Sequence, residues 1–272
     1  MPLHFDALSE TDIPTAVALS AEAGWNQTPA DWRRLLALGT CLAGRLNGEL
    51  VATATRADYG GLGWIGMVLV KQAFRGQGFG TAMLERAVDT EPCGLDATEL
   101  GRPLYQKLGF VDVAPIDRWV GTLRPTAAPD GTVRLRSDNV PDALVFDQEA
   151  CGVSRAPLLG HLAGEPDVRQ WVALDEGRVV GLASLRPGRE HWHLGPVTCT
   201  NAAVLSRLLA AAAQPLGAAT VLVDAIRDDD RSAVLAAAGL GVQRRLMRMT
   251  RPGRQGMLMG PQVAAATAFE WG

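Results

Sequence analysis

No stretch of the sequence approaches the roughly 20 uninterrupted apolar residues that a membrane-spanning helix needs, which excludes a helical membrane protein. The opening Met1-Pro2-Leu3-His4-Phe5-Asp6 lacks the basic start, apolar middle and small-residue cleavage site of a secretory signal, so a soluble, cytoplasmic protein is expected. Cysteine is scarce. Cys41, Cys93, Cys151 and Cys199 are far apart, with no Cys-x-x-Cys pair and no histidine at zinc-ligand spacing. Buried free thiols are expected, and no metal. An excess of charge is also lacking: 26 Lys plus Arg face 29 Asp plus Glu, and a net charge of −3 leaves no basic footprint for nucleic acid. Small molecules are the expected partners.

What is present is apolar material, 47% of 272 residues, enough for two cores. Domains of roughly 100 to 150 residues are commonest, so two are expected. Leu3 to Leu8 reads as an opening strand. Ser9 to Asp12 caps a first helix reaching about Ala23, and Thr28-Pro29-Ala30-Asp31 starts a second that carries Trp32, Leu35, Leu36 and Leu38 on its apolar face. Gly24 to Gln27 is the loop between them. Cys41–Leu46 and Val51–Ala57 are strands joined by Asn47-Gly48, a strong hairpin signal.

The informative stretch is Trp64 to Arg86. A strand ends near Val70, glycines stand at 76, 78 and 80, and a helical apolar pattern (Ala82, Met83, Leu84, Ala87) follows at once. Alternate glycines let successive peptide N–H groups converge on one centre, and the helix start adds its unpaired N–H groups and positive dipole end. Such a concavity suits phosphate oxygens, and Arg75 at its lip adds a fixed charge. A P-loop is excluded because Gly80-Thr81 has no lysine, and the dinucleotide spacing Gly-x-Gly-x-x-Gly fails by one residue. Downstream come a strand (Cys93–Thr98) and a short helix ending at Gly109, then closing strands Phe110–Val113 and Asp117–Leu123.

Arg75-x-x-Gly78-x-Gly80 resembles the coenzyme A loop of the GNAT superfamily of N-acetyltransferases, and Leu104-Tyr105 with Gly109-Phe110 resembles that family's second motif at the right distance. Two departures stand out. The family's usual asparagine is Thr98 here, and its usual alanine is Gly101. The resemblance implies an acetyl-CoA cosubstrate, with the pantetheine arm along Val68, Leu69 and Val70, its contacts extending to Thr98, and the pyrophosphate on Arg75, Gly76, Gln77, Gly78, Phe79, Gly80 and Thr81. It implies that Tyr105 protonates the departing thiolate; a phenol of pKa about 10 remains a usable acid for a thiol near 8.5. It also makes Trp25 and Asp58 candidate contacts of an amine acceptor. For Trp25 the alternative is packing at a helix corner. Some relatives place a glutamate base on the strand before the loop, but Trp64–Val70 contains no carboxylate. Asp58, Glu22, a water chain or an already neutral amine are the alternatives.

Beyond residues 124–131, whose proline and small-residue content reads as a linker, the opening pattern returns. Gly48-Glu-Leu-Val-Ala-Thr-Ala corresponds to Gly177-Arg-Val-Val-Gly-Leu-Ala, and Gly66-Met-Val to Gly195-Pro-Val, each at an offset of 129. Leu95-Asp96-Ala97 and Val223-Asp224-Ala225 correspond at an offset of 128, so the register holds to within a residue. The second copy has Thr198-Cys199-Thr200-Asn201-Ala202-Ala203 in place of the arginine and glycines, and its tyrosine position falls near Leu235.

The expected fold is therefore α/β (α+β), with two tandem GNAT-like domains, each a mixed, mostly antiparallel twisted sheet flanked by helices. Residues 1–123 form the catalytic domain, and 132–272 a degenerate one similar to the YitH type. The pair behaves as a pseudo-dimer within a monomer, or the chain forms a homodimer. His191 and His193 are expected two apart on one strand face, hydrogen-bonded or solvent-facing rather than metal-bound, and Glu270-Trp271 is a candidate cover for the domain interface. The expected activity is acetyl transfer to a small-molecule amine. A non-catalytic acyl-CoA sensor and a protein amine acetyltransferase are the alternatives.

Overall fold

The computed structural model describes residues 3–88, 92–124, 131–135, 140–251 and 257–272. The first half runs β1 (His4–Ala7), α1 (Ile13–Glu22), α2 (Pro29–Leu38), β2 (Gly39–Leu46), β3 (Glu49–Asp58), β4 (Gly63–Val70), α3 (Phe79–Ala87), β5 (Cys93–Ala97), α4 (Arg102–Lys107) and β6 (Val111–Gly121). The second half repeats this order as β7 (Thr132–Arg134), α5 (Val140–Cys151), α6 (Ala156–Gly164), β8 (Arg169–Asp175), β9 (Arg178–Arg186), β10 (Trp192–Cys199), α7 (Ala202–Leu216), β11 (Val221–Ile226), α8 (Asp229–Ala237) and β12 (Leu240–Thr250). A short strand, β13 (Val263–Ala265), has no counterpart among the described residues of the first half. Most of the expected linker, residues 125–130, lies outside the described residues. Among the described residues no helix is long and apolar enough to cross a membrane.

Local chemistry sets these boundaries. Thr28 and Asp31 close a reciprocal capping box ahead of α2, with the Asp31 carboxylate accepting from both Thr28 N and Oγ1 at 2.8 Å. Asn47 and Gly48, at φ of 52° and 83°, make the β2–β3 turn, and Glu176 and Gly177, at 48° and 79°, repeat it between β8 and β9. The two closing strands expected around Pro115 are instead one strand, β6. Its pairing with β11 begins only at Ile116, and the Pro115 carbonyl accepts from Arg227 N just beyond. The missing proline N–H therefore faces the end of a ladder, where it costs no ladder bond.

All 13 strands form one sheet in the order β1-β2-β3-β4-β5-β12-β6-β11-β13-β10-β9-β8-β7. The halves are interleaved. The closing strand of the second half, β12, lies against β5 of the first, while β6 of the first half lies against β11 of the second. Two buried ion pairs fix this exchange. Arg248 stands directly opposite Asp96 and grips both carboxylate oxygens at 2.8 Å. Arg118 stands opposite Asp224 and does the same at 2.7 and 2.8 Å. Each guanidinium also stacks on an aromatic ring, Arg248 over Trp64 at 4.5 Å and Arg118 over Phe269 at 4.1 Å.

Helices cover both faces. In the first half α3 packs on one face with Ile65, Leu95 and Phe110. On the other, α1 and α2 share a single cluster with Trp64, Met67, residues of α5 and α6, and Trp271. The cluster beneath α7 and α8 is built mainly by the second half, with Trp119 and Leu123 of the first half joining it. All four cysteines are buried free thiols, as expected.

Replacing Arg248 with Met keeps the apolar stem but strands Asp96, whose side chain is wholly buried. The expected cost is about 3–5 kcal/mol, read as a fall in the urea midpoint. Arg102→Met, which breaks the exposed pair with Asp112, is expected to leave that midpoint almost unchanged, because solvent screens the pair.

Candidate active site

β4 and β5 run parallel but pair only at Gly63 with Cys93 and Trp64 with Gly94. Past that point they diverge and leave a fork. A register shift where β3 meets β4, between Thr53 and Thr55, sharpens the divergence, and Met67 there takes a φ of 48° while its carbonyl accepts from Thr53 Oγ1 at 2.8 Å. The bulge breaks the alternation of β4. Trp64, Met67 and Leu69 face α1 and α2, whereas Ile65, Val68 and Val70 face α3.

From Val70 the chain enters the glycine loop. Arg75 folds back so that its Nε donates to the Val70 carbonyl at 3.0 Å. Gly76 and Gly78 hold φ of 76° and 82° with open space beyond each Cα, so backbone conformation alone demands glycine there. Gly80 has no such constraint: a Cβ there would meet Val70 at an ordinary 3.7 Å. Gly78 is also the N-cap of α3 and supplies no side-chain acceptor. The first N–H groups of that helix are therefore directed at the loop.

On the other prong, Gly101 N donates to Thr98 Oγ1 at 3.2 Å ahead of α4. A Cβ on Gly101 would lie 2.9 Å from the Tyr105 ring, which accounts for glycine where the family pattern has alanine. Tyr105 meets Phe110 edge-on at 6.1 Å, and burial pushes its phenol up to about 12.

Both prongs open on one cavity of about 1190 Å³. Its walls bring together Trp25, Val68, Leu69, Val70, Arg75, Gly76, Gly78, Phe79, Gly80, Thr81, Thr98 and Tyr105. Gln77 is not on the wall. Asp58 is also elsewhere, accepting from Gly60 N at 2.8 Å in an exposed turn. Glu22 accepts from Gln72 N at 3.1 Å on the surface and does not line the cavity either. Sequence reasoning missed the wall that the second half supplies: Val242 to Leu246 of β12, with Phe269 and Glu270. The strand exchange brings the β12 residues here and the segment after β13 brings Phe269 and Glu270; no local pattern announces either.

The second half has the matching fork. β10 and β11 pair at Trp192 with Val221 and His193 with Leu222, then diverge. There the chain fills its own gap: β13 pairs with β10 through Val263 and Ala265 and with β11 through Ala265. This is a second obstacle to a coenzyme, beyond the missing glycines. The histidines differ from expectation, because His191 precedes β10 rather than sharing its face. His191 Nδ1 lies 2.7 Å from Thr220 Oγ1, and buried His193 lies 3.2 Å from Arg186. Burial and the nearby Arg186 hold His193 well below the usual imidazole range, so it is neutral. Among the described residues no cluster of three metal-ligating side chains occurs.

Two family models, each described as an acetyltransferase (GNAT) domain, match residues 37–112 and 143–258. The chain belongs to the GNAT acyltransferase family and carries two GNAT domains. It is similar to the holothin acyltransferase of Pseudoalteromonas sp. (strain SANK 73390), with 30% identity over 188 residues, which are 67% of this chain and 64% of that protein. The match thus spans somewhat under two thirds of that relative. Among solved structures, a GNAT-fold protein from Pyrococcus horikoshii assigned to the acetyltransferases aligns over 99% of this chain and 96% of its own, at TM-score 0.84 and 21% identity. A tandem GNAT protein from the clavulanic acid biosynthesis pathway aligns over 93% and 100%, at 0.65 and 14%. At these identities the structures establish a shared GNAT fold.

Tyr59 and Tyr105 are the two tyrosines of this GNAT chain, and burial raises both. Since the unfolded value is about 10, their stabilisation is complete below that pH and is lost as pH climbs toward 12 and beyond. Absorbance at 295 nm is expected to show no tyrosinate in the folded protein below about pH 11, and a normal titration near 10 in denaturant.

Proposed function

We propose that this GNAT protein transfers an acyl group, acetyl in the simplest case, from acyl-CoA to the primary amine of a small molecule by direct attack, with residues 1–123 as the catalytic repeat. One observation carries the reading: the N–H cradle after β4 and the Tyr105 phenol open on one cavity at a fork that the first half leaves clear and the second half fills with β13.

Bound acyl-CoA supplies the thioester. Its pyrophosphate suits the loop from Arg75 to Thr81, where backbone N–H groups, the α3 dipole and the guanidinium offer complementary charge. The diverging edges of β4 and β5 leave strand groups near Val68 and Val70 for the pantetheine amides. Tyr105 remains protonated at neutral pH and serves as proton donor to the departing thiolate, which would otherwise leave as a poorly solvated anion. Phe269 and Glu270 add to the cavity wall, which favours a small acceptor over a protein amine. The holothin acyltransferase, named for a single small compound, supports the same choice.

Gly78→Glu places a side chain at φ 82° and a negative charge in the cradle. Titration calorimetry with acetyl-CoA is expected to show at least about 100-fold weaker binding. Tyr105→Phe is expected to retain that affinity while turnover falls about 100-fold or more. Unchanged turnover would remove Tyr105 from the chemistry.

A further inference from the structure

The acyl-transfer reading leaves the acceptor without a base, because β4 has no carboxylate and Asp58 and Glu22 lie outside the cavity. The segment 263–272 supplies one. After β13 it crosses into the first half, where Trp64 Nε1 donates to the Phe269 carbonyl at 2.8 Å and Tyr59 Oη donates to the Trp271 carbonyl at 2.6 Å. Arg186 and Arg155 hold Thr267 through its carbonyl (2.9 Å) and hydroxyl (3.2 Å). Between these anchors Glu270 passes over the β4 bulge so closely that a Cβ on Gly66 would lie 2.5 Å from Glu270 Cα. The glycine is what admits it.

Glu270 is among the residues that line the cavity, although it is only 1% exposed. Its Oε2 accepts from Gln27 Nε2 at 2.9 Å, while Oε1 is buried with no hydrogen-bond partner among the described residues. An unsatisfied buried carboxylate oxygen costs stability unless a ligand donates to it. A primary ammonium is such a donor. Trp25 and Met67 line the same cavity and offer apolar surface for the rest of the acceptor.

Resting on the acyl-transfer reading, we propose that Glu270, carried by the second repeat, binds the acceptor ammonium and acts as the general base for the first repeat. Glu270 Oε1 accepts one proton from the ammonium, and the neutral nitrogen attacks the thioester carbonyl carbon to form the C–N bond. The C–S bond then breaks, and the thiolate takes the Tyr105 proton. Nitrogen sheds two protons in all. One leaves through Glu270 to solvent, and the other balances the proton that Tyr105 donated. The charged groups facing Glu270 are Asp31 of α2 and Arg186 of β9. Burial, then the Asp31 charge, raise the Glu270 carboxyl against the pull of Arg186, which brings it toward the range where a base is effective near neutrality.

The test uses the full chain, acetyl-CoA and a panel of aliphatic and aromatic primary amines, followed by free thiol release. With the best amine, Glu270→Gln is expected to lower kcat/KM about 100-fold or more at pH 7, with acetyl-CoA affinity and melting temperature unchanged. The gap to wild type is expected to narrow as pH rises toward the amine's own pKa, since the acceptor then arrives neutral. Glu270→Asp, which keeps the charge but withdraws it by one methylene, is expected to fall between the two and to keep the wild-type pH profile; it carries the test where the Gln variant does not fold. Wild-type rates in Glu270→Gln, or a loss equal at every pH, would overturn the proposal. An inactive wild type across the panel would instead overturn acyl transfer itself, and the base with it.

Discussion

Two arginines reaching across a repeat boundary hold this molecule together. Arg118 and Arg248 occupy corresponding places in β6 and β12, and each pairs with the aspartate of the other repeat. A buried guanidinium facing a buried carboxylate tolerates no other partner, because separating them leaves a charge in the core. The pairs therefore specify the strand order as much as they stabilise it, and the exchange in turn brings β12 to the edge of β5. Without it the site would lose the wall from Val242 to Leu246.

Duplication has given the fold two forks of the same construction, used in opposite ways. The first stays open and is fitted with glycines at φ-demanding positions, a helix start and a phenol. The second is closed by β13 and carries a threonine and alanine-rich turn instead. Closing it has a structural return, since the segment that fills the gap goes on to reach the other repeat. The half with the closed fork thus supplies part of the wall of the cavity at the open one.

Much of this was legible in the sequence because it depends on local rules. Asn47-Gly48, the Thr28–Asp31 box, the glycines at 76 and 78 and the offset of 129 between repeats each follow from backbone preferences or internal likeness. The cavity accordingly gathers most of the residues named from the two motifs. What escaped depends on long-range pairing. The Asp96–Arg248 contact spans 152 residues, and nothing near Arg248 foretells it. Asp58 and Glu22 looked eligible as bases only because sequence cannot show which way a carboxylate at the end of a strand or helix turns. Glu270 sat in a stretch with no recognisable motif, and its meaning came from Gly66, a position whose lack of a side chain is intelligible only once its neighbour is seen.

The interleaving also governs how the protein is made. While only the first repeat has left the ribosome, β5 and β6 expose edges whose proper partners are not yet synthesised, and such edges readily accept strands from another chain. A second copy carries the same β12, with the same arginine, so it satisfies Asp96 as well as the chain's own strand does. Crowded nascent chains thus have a ready kinetic error in which two molecules trade closing strands. The partition between a chain closed on itself and the traded pair is then set by protein concentration during synthesis.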